Sequence, residues 1–303
     1  MIRSFADVFS KIKDLPRRRV AVAAAEDQPV LEAVAFCRDN GIADALLFGS
    51  EAEIRAIAQD SRINLDGFEI IDEPDKAKAA LLAAEAVSTG KADMMMKGLI
   101  DTKNFLRAVL NKEVGLRTGN LITHVAVFKV PAMDRFLFIT DSAFTMYPTL
   151  EQKVQIVNNT VEFCHSLGIT QPKVAVLCAV EVVNPAMPPT LDAAELTGMN
   201  QRGEIKGCLL YGPLAFDNAV NEEAARHKNI VNPVAGKADI LLMPNIEAGN
   251  GIYKTIAFLV QGEEHGGILL GASAPVIVTS RADSFETKVN SIALGALAAG
   301  GRL

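Results

Sequence analysis

Nowhere in the 303 residues does an apolar run reach the ~20 that a membrane-spanning helix needs. The longer apolar stretches, at 174–180, 240–243 and 276–278, are short, bounded by polar or turn residues, and read as buried strands. A secretory signal is missing too. The basic start, with Arg3, Lys11, Lys13, Arg17, Arg18 and Arg19, is followed only by the short segment 20–25, which leads into Glu26 and Asp27. The expectation is a soluble, cytoplasmic protein with no membrane partner.

Excess positive charge is also lacking. Thirty Lys and Arg against 36 Asp and Glu give a net charge of −6, which argues against a nucleic-acid partner but leaves room for a local basic pocket for a phosphorylated ligand. The four cysteines, Cys37, Cys164, Cys178 and Cys208, form no CxxC pair and no ligand spacing with the histidines. Buried free thiols are therefore expected, and no metal site. There is no Walker sequence, no GxGxxG, no GxSxG elbow, no short internal repeat and no low-complexity tract.

What is present is apolar content of 50%, in a chain long enough for two domains. Strands at 18–25, 44–48, 67–71 and 93–96 alternate with helices at 29–40, 51–59 and 75–89, with Ser50 placed to cap the second helix. Such alternation predicts a mostly parallel sheet covered on both faces. Segments 124–130 and 135–140, joined by 131–134, read as an antiparallel hairpin. A polar, turn-rich stretch at 141–148 then precedes a long helix at 150–167 and a second α/β unit. That unit has strands at 173–180, 207–211 and 239–243 and helices at 190–199, 217–227 and 250–261. A last strand at 275–279 and helix at 284–299 suit either domain. Ligands of α/β folds sit beyond the carboxyl ends of strands. The loops to read are therefore 97–102, 141–149, 184–190, 244–254 and 279–286.

In the last of these, a buried strand ends in Thr279-Ser280-Arg281, and Asp283 or Ser284 can cap the helix that follows. An arginine beside hydroxyls and unspent amides suits a tetrahedral anion, or else pairs with a neighbouring carboxylate. Gly249, Asn250 and Gly251 read as a loop between a strand and a helix bearing Tyr253 and Lys254. This is either a close backbone approach to a phosphate or simply a turn. Lys97 and Gly98 close a strand, with Asp101 or Thr102 capping the next helix. Lys97 either faces an anion or is solvated. His124, at a strand start, is either a general base or structural. Met94, Met95, Met96, Met146 and Met187 are expected in the core rather than in an acyl pocket.

Together these stretches resemble the phosphate acetyl/butyryl transferase family over nearly the whole chain, with the butyryl branch closest in length and local wording. The most specific segments are 235–239 through 248–254 and 275–284. Asp141, Pro148, Thr149 and Gln152 also match, as does the run from Gly212 to Ala219. The resemblance implies two α/β domains of the isocitrate/isopropylmalate dehydrogenase-like type, with mostly parallel sheets and an interdomain cleft. One domain would be 1–142 plus 275–303 and the other 143–274. It implies transfer of a short acyl group, butyryl favoured, between coenzyme A and inorganic phosphate by direct attack in a ternary complex. Acyl-CoA, phosphate and acyl phosphate would be the partners, no cofactor would be required, and a homodimer or higher homo-oligomer is expected.

Arg281 matches the family's phosphate-binding arginine and Ser280 the adjacent serine. In the acetyl branch two acidic residues follow, six and seven positions after that serine, and the second is the proposed thiol base. Here those positions hold Glu286 and Thr287, so Glu286 or Asp283 is left as the carboxylate. Lys97, Gly98, Thr102, His124, Gly249, Asn250, Tyr253 and Lys254 are taken as substrate-binding. The rival readings are a phosphate acetyltransferase, a dehydrogenase of the same architecture, whose metal-binding carboxylate cluster cannot be assembled here, and a non-catalytic CoA- or acyl-phosphate-binding protein.

Overall fold

A computed structural model describes residues 2–280 and 283–300, which divide into two compact units. One holds residues 5–120 and those from 265 onward; the other holds 2–4 and 121–264.

The first unit opens with α1 (Phe5–Ile12), whose Phe5, Val8 and Ile12 make one buried stripe. The basic residues around that stripe hide this helix from a reading by apolar runs. Then follow β1 (Arg18–Ala23), α2 (Gln28–Asp39), β2 (Ala43–Gly49), α3 (Glu51–Asp60), β3 (Glu69–Asp72), α4 (Lys76–Ser88), β4 (Met94–Lys97) and α5 (Thr102–Val109). The helices after these strands start on side-chain caps. Asp27, Ser50, Asp75 and Asp101 accept from Val30 N, Glu53 N, Ala77 N and Asn104 N respectively. Each such cap is worth ~1 kcal/mol and fixes where the strand hands over. Met94, Met95 and Met96 are fully buried.

The second unit contains β5 (Thr123–Lys129), β6 (Leu137–Thr140), α6 (Leu150–Ser166), β7 (Lys173–Leu177), α7 (Pro188–Gln201), β8 (Leu209–Leu214), α8 (Phe216–Val220), α9 (Glu222–His227), β9 (Ile240–Leu242) and α10 (Ile246–Leu259). Its strand order is β5-β6-β9-β7-β8. The β5–β6 pair is antiparallel and the remaining neighbours are parallel. Phe128, Ile139, Ala175, Leu241 and Ile256 share its core.

The chain returns to the first unit through β10 (Glu264–Leu270), β11 (Val276–Ile277) and α11 (Phe285–Gly300). The first unit's strand order is β3-β2-β1-β4-β11-β10. β11 runs parallel to β4, and β10 is antiparallel to β11. In α11 every residue from Thr287 to Ala298 is buried. Phe285 sets its ring edge-on to Phe36 of α2, with centroids 5.3 Å apart.

Several expectations are revised. β10 escapes a reading by pattern because Gly266 and Gly267 dilute it. The helix expected at 217–227 is broken at Asn221, which caps Glu223 N and Ala224 N. α10 begins a turn earlier than expected, because Asn245 accepts from Ala248 N. The units divide at 120/121 and 264/265, so the hairpin of β5 and β6 lies in the second unit. The reason is that β6 pairs with β9, which carries the whole hairpin into the second unit.

Candidate active site

In the first unit the carboxyl ends of β1, β4 and β11 lie side by side. Beyond them is a cavity of about 190 Å³ lined by Asp27, Lys97, Gly98, Thr279, Ser280 and Lys288, among others. Lys97 is not solvated. It is only 9% exposed, and its Nζ donates to the carbonyls of Gly98 at 3.1 Å and Ile100 at 2.9 Å. Gly98 is required where it stands. Its N–H bonds Ala23 O, and a Cβ there would overlap the Ala24 carbonyl oxygen. Asp27 spends its carboxylate on Val30 N.

The turn from β11 to α11 is built by its own polar side chains. Ser280 N donates to Asp283 Oδ2 at 2.7 Å, and Thr287 N donates to Ser284 Oγ at 3.1 Å, so Ser284 starts the helix. Lys288 is 3% exposed; its Nζ donates to Asp283 O at 2.7 Å and lies 3.5 Å from Ser280 O. Thr287 Oγ1 sits 3.2 Å from Ser284 Oγ and 3.4 Å from Nε2 of His265, on β10. Ser280 and Glu286 are exposed. Arg281 lies outside the described residues.

A second cluster stands in the second unit, where β6 ends and β5 begins. The buried Asp141 carboxylate accepts from His124 N at 3.0 Å, from Ala143 N and Phe144 N at 2.9 Å each, and from Thr145 Oγ1 at 3.2 Å. His124 Nδ1 lies 3.1 Å from Ser142 Oγ, and its ring meets Phe144 and Tyr253. Asn250 Nδ2 donates to Ser142 O at 3.2 Å. Gly249, Asn250 and Gly251 are not a loop but the first turns of α10. Gly249 is small for packing: a Cβ would lie 2.6 Å from Asp141 O. Lys254 Nζ stands over the Tyr253 and Phe258 rings.

Of the residues expected from the sequence, Lys97, Gly98 and Ser280 therefore share one cavity, with Asp283 shaping its rim turn. His124, Gly249, Asn250 and Tyr253 share the other cluster. Thr102 is exposed as the first residue of α5, and Asp101 rather than Thr102 is the cap. Met146 and Met187 are 65% and 37% exposed, so neither belongs to the core. Lys288 and His265 went unnoticed. A lysine that opens the otherwise apolar run of α11 is the signal that marks Lys288.

Two further features bear on chemistry. Glu26, beside these strand ends, is 2% exposed; its Oε1 is 3.9 Å from Lys76 Nζ, and among the described residues its Oε2 has no hydrogen-bond partner. Burial raises its carboxyl pKa, against the opposing pull of its own backbone N–H and of Lys76. The cysteines are free thiols, and burial pushes Cys178 and Cys208 up to about 11, which makes them poor nucleophiles. Among the described residues no helix is long and apolar enough to cross a membrane.

The family model described as phosphate acetyl/butaryl transferase matches residues 4–80 and 73–296. A phosphate butyryltransferase of Clostridium acetobutylicum is 58% identical over 302 residues, covering 100% of both chains. A phosphate acetyltransferase of Thermotoga maritima is 47% identical, covering 92% of this chain and 95% of that one. The solved branched-chain phosphotransacylase of Enterococcus faecalis superposes with a TM-score of 0.81 at 31% identity, over 93% of this chain and 99% of the other. A 4-hydroxythreonine-4-phosphate dehydrogenase of Klebsiella pneumoniae, at 12% identity and a TM-score of 0.58 over 94% of this chain and 100% of that one, shares the fold alone and sets the architecture among dehydrogenase-like α/β folds. With a strand-end cavity carrying Ser280 and likeness running the full length, the chain belongs to the phosphate acetyl/butaryl transferase family.

Proposed function

We propose that this chain is a phosphate acyltransferase that moves a short acyl group, with butyryl favoured, between coenzyme A and inorganic phosphate. The observation that carries the reading is the cavity holding Ser280 and Lys97 in a chain 58% identical throughout to a phosphate butyryltransferase. The reaction is direct. The CoA thiolate attacks the acyl carbonyl of an acyl phosphate, the C–S bond forms, the C–O bond to phosphorus breaks, and phosphate leaves with the electron pair. In reverse a phosphate oxygen attacks the thioester and the thiolate departs. Positioning and charge stabilisation do most of the work.

Arg281 is assigned to phosphate and Ser280 to a hydrogen bond with the reacting group. Asp283, already accepting from Ser280 N, holds the turn, which leaves the exposed Glu286 as the carboxylate for the thiol proton. A carboxylic acid is a stronger acid than a thiol by ~4 pKa units, so that transfer is uphill by roughly 5–6 kcal/mol without a nearby cation to hold the thiolate. Lys97, Gly98 and Thr102, and in the second unit His124, Gly249, Asn250, Tyr253 and Lys254, are assigned to substrate. The setting is taken to be the cytoplasm and the assembly a homodimer or larger.

The test is CoA release from acetyl-, propionyl-, butyryl- and isobutyryl-CoA, with and without phosphate, in the presence of a chelator. Phosphate-dependent release fastest with butyryl-CoA is expected. One methylene discriminates by only ~1–3 kcal/mol, so the neighbouring chains should also turn over. Absence of release with every acyl-CoA from folded protein would sink the reading. Arg281→Ala should lower activity chiefly by raising the phosphate requirement, and unchanged phosphate dependence in that variant would remove Arg281 from its role.

A further inference from the structure

Lys288 is the buried cation that the proposed chemistry has not yet used. It sits in the first turn of α11, is 3% exposed, and lines the cavity that Ser280 and Lys97 line. Its ammonium has three N–H donors. One is spent on Asp283 O at 2.7 Å and a second reaches Ser280 O at a long 3.5 Å. Both partners are carbonyls, and among the described residues no carboxylate is within ion-pair distance. The two carboxylates near it have other partners: Asp27 caps α2, and Asp283 accepts from Ser280 N. A buried cation held only by carbonyl dipoles is costly until an anion completes its shell. The cavity beside it, about 190 Å³, has room for a tetrahedral oxyanion, and Lys97 approaches it from the end of β4.

We infer that Lys288 binds the phosphoryl group, holding inorganic phosphate, or the phosphate end of an acyl phosphate, against the Ser280 turn. This rests on the acyltransferase reading above and deepens it. Through its bond to Asp283 O, the same ammonium also ties the turn to the helix, so substrate charge and the placement of Ser280 are linked. A phosphoryl group has charge spread over its oxygens, and a lysine serves it as a point charge where a planar guanidinium serves as a fork.

The competing view is that Lys288 only braces the turn. Lys288→Gln separates the two, because its amide N–H can still donate to Asp283 O while the charge is gone. Two readouts are taken on purified full-length wild type, K288Q and K288R. One is the rise in melting temperature on adding inorganic phosphate, against potassium chloride of equal ionic strength. The other is KM for phosphate and for butyryl-CoA in CoA release. We expect K288Q to lose most of the phosphate-induced rise and to raise KM for phosphate about 10- to 100-fold, as loss of a charge-assisted contact does. Its KM for butyryl-CoA should stay within about threefold, and K288R should recover much of the phosphate response.

A K288Q protein with wild-type phosphate shift and phosphate KM, or one in which both KM values rise together, overturns the inference. Should K288Q not fold, K288M, which keeps the buried stem, is scored by the same phosphate shift. If wild type shows a phosphate-induced rise that K288Q lacks, yet no enzyme form turns over, the acyltransferase reading fails while the Lys288 site stands.

Discussion

Two strand-to-helix turns, one in each unit, dispose of their polar groups in opposite ways. After β6, the Asp141 carboxylate takes four hydrogen bonds, and Ser142 is met by His124 on one side and Asn250 on the other. Its donors and acceptors answer one another within the cluster. After β11, the backbone is tidied by Asp283 and Ser284, but two lysines nearby are fixed by main-chain carbonyls and border a cavity. The first turn is a finished scaffold that positions His124. The second sets Lys97 and Lys288 at the edge of that cavity, where the inference above puts the phosphoryl group. The two turns thus differ less in the number of their polar residues than in what surrounds them: one packs into a closed cluster, the other opens on a cavity.

That contrast breaks most visibly at Asp141. Asp141→Ala removes four acceptor contacts from a residue that is 2% exposed, and should cost about 3–5 kcal/mol in denaturant unfolding of the second unit. Activity should fall with it because His124 loses its support. A loss below ~1 kcal/mol would mean the loop is held by something other than that carboxylate. Ser280→Ala should show the reverse profile. Rates should drop ~10²- to 10³-fold, the range for losing one donor to a reacting oxygen, with little change in stability because the side chain is exposed. If S280A unfolds more readily while keeping its rate, the second turn is scaffold as well.

The contrast also explains what the sequence could and could not yield. The strand-and-helix rhythm was legible because each parallel strand is a short buried run and the caps Ser50, Asp75 and Asp101 stand where their helices start. Ser280 was legible from a strand-end hydroxyl in a family pattern, and Gly98 from its place after β4. The extent of α10 was not. Gly249 and Gly251 look like loop residues, and only the packing of Gly249 against Asp141 O explains a glycine within a helix. Lys288, and the burial of Lys97, are not legible for one reason: lysines are almost always solvated, and nothing local in the sequence reports burial. β10 was missed because its glycines lie against α11, where Gly266 leaves only 3.0 Å to Ser291 N for a Cβ, a tertiary fact.

Gly98 tests the precision of the cavity rather than its charge. Gly98→Ala forces a methyl into the Ala24 carbonyl, so β1 and β4 must part or the 97–100 turn must shift. A cost of about 2–3 kcal/mol is expected, in the range for overpacking a close backbone contact. The phosphate response should weaken too, because Lys97 Nζ is anchored on the Gly98 and Ile100 carbonyls. Normal stability with a normal phosphate response would show that this turn has slack.

Glu26 sharpens the comparison from the opposite sign of charge. It is a buried carboxylate with one oxygen unpaired among the described residues, so ionising it in the fold is unfavourable and its pKa is raised, chiefly by burial, with its own backbone N–H and Lys76 opposing and Glu53 and Asp27 adding to the effect. The sign follows from linkage. Below the ordinary glutamate range the group is protonated in both folded and unfolded chains and costs nothing. As pH rises through the raised folded value, the unfolded chain releases its proton first and stability falls. Glu26→Gln removes that ionisation. It should therefore stabilise the protein by ~1 kcal/mol at pH 7 to 8, with the gain shrinking as pH is lowered toward 4. Thermal melts of both proteins across that range measure it. A gain that does not vary with pH would locate the benefit in packing. A loss at neutral pH would mean that the ion pair with Lys76, 3.9 Å away and 40% exposed on the lysine side, outweighs the burial of the carboxylate.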